Sequence, residues 1–100
     1  MDKNFKQFEK WYLKRKIEWE KIGILVDNAK MSEFGHQYHI NVHTKNGIGN
    51  IVLYESNGYY WIDFEAGNFY TDMMFNKANI DYYNKKDILL CEKLFIECII

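Results

Sequence analysis

Residues 48–76 read IGNIVLYESNGYYWIDFEAGNFYTDMMFN. Apolar and polar residues alternate through this stretch, and Ser56-Asn57-Gly58 and Ala66-Gly67-Asn68 interrupt it. Period-two alternation is the pattern of half-buried strands, and clusters of Gly, Asn and Ser mark turns. The stretch predicts three antiparallel strands, Ile48–Glu55, Tyr59–Glu65 and Phe69–Phe75. In the middle strand Tyr60, Ile62 and Phe64 face one way, and Tyr59, Trp61, Asp63 and Glu65 face the other. In the third, Phe69, Thr71, Met73 and Phe75 oppose Tyr70, Asp72 and Met74. The acids here are Glu55, Asp63, Glu65 and Asp72, with no Lys or Arg beside them.

Moving toward the N-terminus, Asn46-Gly47 predicts a two-residue type I′ hairpin, because both residue types tolerate positive φ. Residues 36–44 alternate, with Tyr38, Ile40 and Val42 on one side and Gln37, His39, Asn41 and His43 on the other. Residues 24–31 predict a further strand, joined through a loop at Ser32 to Gly35. Residues 2–22 predict a helix, since Phe5, Phe8, Trp11, Tyr12, Trp19 and Ile22 fall on one face at helical spacing. Asp2 suits the positive end of its dipole and Lys21 the negative end, and Gly23 suits the residue just past it. Toward the C-terminus, residues 76–84 predict a polar connection. Asn84 caps a final helix with Asp87 in its first turn. Ile88, Cys91, Leu94, Phe95, Cys98 and Ile99 form that helix's main stripe, and Leu89, Leu90, Ile96 and Ile100 widen it. The expected architecture is α+β in two layers: an N-terminal helix, an antiparallel meander of four or five strands, and a C-terminal helix, with both helices on one sheet face.

Composition bounds the function. A chain of 100 residues is one domain, and 48% apolar with 18% aromatic residues provides a core. The net charge of −1 conceals an asymmetry. Residues 1–22 hold seven basic and four acidic side chains, and residues 23–100 hold six basic and ten acidic. Phosphate binding needs a clustered basic surface, and only the Lys3, Lys6, Lys10, Lys14 and Lys21 stripe of the first helix offers one. Such a stripe is ordinarily a solvated face, so no nucleic-acid partner is expected. No secretory leader and no membrane span is expected, and the expected location is cytoplasmic.

Candidate chemistry is sparse. His39 and His43 share a strand face but stand about 13 Å apart along it, too far to hold one zinc, and His36 points to the other side. Asp63 and Glu65 share a strand face at about 6.5–7 Å, a spacing found in many solvated strands. Gly47-Ile48-Gly49 belongs to a hairpin and opens no helix, so it forms no phosphate loop. Cys91 and Cys98 lie two helical turns apart, about 10 Å, beyond disulfide reach. No catalytic residue, metal or cofactor is expected. The outward rings are the more informative feature. Tyr59, Trp61, Asp63 and Glu65, joined by Tyr54 and Val52 and by Tyr70, Asp72 and Met74, resemble the core and charged rim of an interface. An inverted register, or a helix over this side, would make the same rings packing residues.

Three blocks carry a family resemblance: the Phe8-Glu9-Lys10-Trp11-Tyr12-Leu13-Lys14 helix, the Asn50-Ile51-Val52-Leu53-Tyr54-Glu55-Ser56 strand, and Trp61-Ile62-Asp63-Phe64-Glu65 followed by Gly67 and the Tyr70 strand. Through them the chain resembles the small immunity proteins of bacterial polymorphic and contact-dependent toxin systems, in particular those called TriTu. The resemblance covers about half the chain and includes no catalytic signature. It implies a cytosolic antidote that binds the C-terminal toxin domain of its cognate partner, often a nuclease with a basic cleft. On face and charge, the expected toxin-binding residues are Tyr54, Glu55, Tyr59, Trp61, Asp63, Glu65, Tyr70 and Asp72. The alternative is a homodimeric structural or regulatory module that pairs through the aromatic face and the apolar final helix.

Overall fold

The computed structural model describes residues 1–100. Its elements run α1 (Lys3–Lys21), β1 (Leu25–Met31), β2 (Gln37–His43), β3 (Gly47–Ser56), β4 (Tyr59–Asn68), β5 (Met74–Asp81) and α2 (Lys85–Ile99). The strands form one antiparallel meander in the order β1-β2-β3-β4-β5. Both helices contribute to a single core over one face of the sheet, as the alternation requires. Phe5, Phe8 and Trp19 of α1 and Phe95 and Ile99 of α2 are sealed against Ile40, Ile51, Leu53, Ile62 and Phe64.

Local signals set the helix ends. Asp2 is the N-cap of α1 and accepts from the Phe5 N–H at 3.0 Å. Partial burial pushes the Asp2 carboxyl up, but the Phe5 N–H and the Tyr60 hydroxyl outweigh it and hold the group below the usual range. Tyr60, whose hydroxyl donates to Asp2 at 2.6 Å, is pushed up to about 12 by that bond. At the other end Gly23 takes φ 90°, and the Gly23 and Ile24 N–H groups return to the Glu20 and Trp19 carbonyls. This paired closure is the Schellman motif. It places Ile24 in the core and leaves Ile22 half exposed, against the expectation that Ile22 belongs to the buried face. Asn84 caps α2 by accepting from the Asp87 N–H.

Asn46-Gly47 does not form the expected type I′ turn, because neither residue has positive φ. The β2–β3 reversal is instead built on Thr44, whose Oγ1 accepts from the Asn46 and Gly47 N–H groups at 3.0 and 2.9 Å. The reason lies in α2. The last carbonyls of a helix lack partners within it. Thr44 Oγ1 donates to the Ile99 carbonyl, Asn46 Nδ2 to Ile100 at 2.7 Å and Asn68 Nδ2 to Cys98 at 3.0 Å. Asn46 is thus committed to docking a helix end, and Gly47 admits the close approach of the Gly67 carbonyl. The positive-φ pair occurs at Asn57-Gly58, with φ 51° and 81°, where the β3–β4 hairpin turns.

The expected turn at Ala66-Gly67-Asn68 is also corrected. These residues extend β4 and pair with Gly49, Ile48 and Gly47. The reversal falls at 69–73, where the Asn68 N–H meets the Met73 carbonyl and the Asn68 and Thr71 side chains accept from the Tyr70 and Met73 N–H groups. The expected strand Phe69–Phe75 is therefore mostly turn, and most of the expected connection 76–84 is strand β5.

Two glycines give opposite expectations. A Cβ on Gly49 would lie 2.3 Å from the buried ring of Phe95, whereas one on Gly67 would meet nothing within 4 Å. Gly49→Ala is expected to cost about 1–3 kcal/mol by overpacking, and Gly67→Ala to be neutral or stabilising by up to about 0.5 kcal/mol. Urea denaturation of both variants checks the contrast.

Candidate functional site

Strand alternation divides the sheet into a face under the helices and an outer face that neither helix covers. Outer residues meet across strands as Val52 with Asp63, Asn50 with Glu65, and Tyr54 with Trp61. Trp61 in turn lies opposite Asp81 of β5. The Tyr54 and Trp61 rings stack, with centroids 5.4 Å apart and planes 10° from parallel. Both rings are half-buried, while Tyr59, two residues before Trp61 on the same side, is 76% exposed. Val52, expected to join the exposed set, is buried beneath its neighbours on this face.

The acids take different roles. Glu65 is exposed and makes no ion pair or hydrogen bond with another side chain. Asp63 is half exposed, and its Oδ1 accepts from the Asn79 N–H at 2.8 Å. Asn79 has φ 61° and sits where the β4–β5 register shifts, so this carboxylate helps to hold a bulge in an edge strand. The Tyr54 phenol is pushed above its ordinary range, first by burial and then by the Asp63 and Glu65 carboxylates.

The remaining expected residues fall elsewhere. Glu55 pairs with Tyr60 and alternates to the helix side. Its Oε2 accepts from the Gly58 N–H at 3.0 Å and its Oε1 meets His36 Nδ1 at 2.7 Å. Those two bonds, the Gly58 one first, hold its carboxyl below the usual range. Tyr70 and Asp72 are exposed but lie in the 69–73 turn, outside the strands. The structure thus brings together Tyr54, Tyr59, Trp61, Asp63 and Glu65, and separates Glu55, Tyr70 and Asp72 from them.

The histidines take separate partners: His36 meets Glu55, His39 meets Gln37 at 2.8 Å, and His43 meets Asp27 at 2.6 Å. Cys91 and Cys98 are unpaired and buried, and burial pushes both thiols up. No helix is long and apolar enough to cross a membrane.

Sequence reading missed Asp81 as an outer-face acid, because it assigned Asp81 to a connection. The signal was weak by nature: β5 is an edge strand whose Asn76, Lys77, Ala78 and Asn79 are all exposed, and edge strands are commonly polar. No protein-family model, curated protein or solved structure matches this chain.

Proposed function

We propose that this chain is an immunity protein that binds a cognate bacterial toxin domain in the cytosol and neutralises it by direct contact, with no chemistry of its own. The observation that carries the reading is the stacked Tyr54–Trp61 pair on a sheet face clear of both helices, with Asp63 and Glu65 beside it. Ordered rings supply contact area at low entropic cost, and flanking carboxylates steer a cationic target. A nuclease toxin fits that charge, since a cleft that holds phosphates must be basic. Co-expression with a toxin domain, if one is found encoded in the neighbouring gene, tests the proposal. Rescue of growth and a stable one-to-one complex are expected; failure to rescue would count decisively against it.

A second reading has its own support. Leu89, Leu90 and Leu94 are exposed on α2, which suits pairing with a second copy. A strictly monomeric mass by light scattering at high concentration would remove it.

A further inference from the structure

Where the β3–β4 turn meets the close of β5, the end of the sheet carries a concavity of about 600 Å³ lined by Gly58, Tyr59, Trp61, Asn79, Asp81 and Tyr83, with Tyr60 of the helix side at its margin. We infer that this concavity is a cage for one arginine side chain of the partner, with Trp61 and Tyr59 supplying ring faces and Asp81 the counter-charge. The inference rests on the proposed binding of a cationic protein through this face, and it names the group that would anchor there.

Three features support it. The first is placement. Tyr54, Trp61 and Asp81 form a row across β3, β4 and β5. Tyr54 stacks on Trp61 from the β3 side, and the concavity opens toward β5. A planar cation entering there would meet an indole and a carboxylate on neighbouring strands. The second is order. Trp61 is held by its stack with Tyr54. Asp81 Oδ1 accepts from the Tyr83 N–H at 2.9 Å, and the Tyr83 hydroxyl accepts from Asn4 Nδ2 at 2.8 Å. These contacts exist before any partner arrives, so little side-chain freedom is lost on binding. The third is charge. Asp81 is exposed and makes no ion pair, and no Lys or Arg lines the concavity. Lys77 and Lys85 stand equally near Asp81 in sequence; Lys85 sits 3.8 Å over the buried Tyr82 ring, close enough for its charge to act on Asp81 but without an ion pair to it.

The shape selects arginine over lysine. A guanidinium is flat and weakly hydrated; it stacks on an aromatic face while its N–H fork meets a carboxylate. An ammonium is compact and strongly hydrated, and keeps more of its water in so open a site.

The test is NMR titration of the full chain with the blocked peptide acetyl-Gly-Arg-Gly-amide and its lysine and citrulline counterparts. Saturable shifts of the Trp61 indole N–H and the Asp81 amide are expected, with an arginine Kd of about 1–10 mM. The lysine peptide should bind at least about threefold more weakly, and the neutral citrulline peptide at least about tenfold more weakly. Asp81→Asn should weaken arginine binding about tenfold, and Trp61→Leu should abolish the saturable shifts while the remaining amides keep their folded positions. Equal binding of citrulline, lysine binding as tight as arginine, or no saturation by about 50 mM would each overturn the cage. The two levels separate cleanly. A toxin complex unaffected by Asp81→Asn, with silence toward the arginine peptide, overturns the cage and leaves the sheet-face reading standing. Arginine binding without rescue from the toxin does the reverse.

Discussion

A Glu92→Ala chain is expected to unfold about 10–20 °C below the parent, from a loss of about 2–3 kcal/mol. Glu92 is the one acid sealed in the interior, at 3% exposure. Its Oε2 accepts from Arg15 Nε at 2.5 Å and from Trp19 Nε1 at 2.9 Å, so one carboxylate oxygen ties α2 to two successive turns of α1. Truncation leaves the fully buried Trp19 indole N–H without an acceptor, which costs about 1–3 kcal/mol. It also leaves Arg15 unpaired. Breaking a wholly buried ion pair costs about 3–5 kcal/mol, but the Arg15 side chain is 33% exposed and can turn to water, so the lower figure applies. Glu92→Gln keeps an oxygen for Trp19 and is expected to lose only about 1 kcal/mol. Urea and thermal unfolding of the two variants measure the difference. A Glu92→Ala chain within about 0.5 kcal/mol of the parent would show that the bridge does not hold the helices together.

Glu92 also marks where sequence reading runs out. The helical stripe of α2 was legible because Ile88, Cys91, Leu94, Phe95, Cys98 and Ile99 repeat at helical spacing; five of the six are buried, and Leu94, expected among them, is exposed at the edge of the stripe. Glu92 sits beside that stripe, and nothing in its own neighbourhood announces a partner 77 residues away in the chain. The same limit explains the hairpins. Asn57-Gly58 is a local matter, since two residues that tolerate positive φ suffice for it. Asn46-Gly47 has equally good local chemistry, but the carbonyls at the end of α2 recruit the Asn46 amide and change the turn. On the outer face, Trp61, Asp63 and Glu65 were legible because β4 is a central strand with clean alternation. Tyr70 and Asp72 were misplaced because Gly67 reads as a turn residue, and here it is an open position within a strand. Asp81 was hidden because a polar edge strand with a bulge has no period to read.

The outer face carries the other large expected effect, on binding. Trp61→Ala is expected to weaken the proposed toxin complex by about 2–4 kcal/mol, or about 30- to 1,000-fold in Kd, as truncation of a central aromatic anchor does. The fold should survive, because Trp61 lies on the side of the sheet away from the sealed core of Ile62 and Phe64. Charge is tested most simply at Glu65. Asp63 also accepts from the Asn79 N–H, so altering it disturbs the bulge as well as the field. Glu65 has no such tie, and Glu65→Lys should slow association about tenfold at low salt, with the difference shrinking as added salt screens the face. Asp72→Lys, in the 69–73 turn, should change the rate less than about threefold, because the field of an exposed charge fades over about 10 Å at moderate salt. Stopped-flow or surface-plasmon measurement of the three variants separates a sheet-face interface from a loop interface. Loss of binding in Asp72→Lys with Trp61→Ala and Glu65→Lys unaffected would move the contact to the turn. The reverse pattern would leave the stacked rings and their neighbouring carboxylate as the part of the molecule that meets the partner.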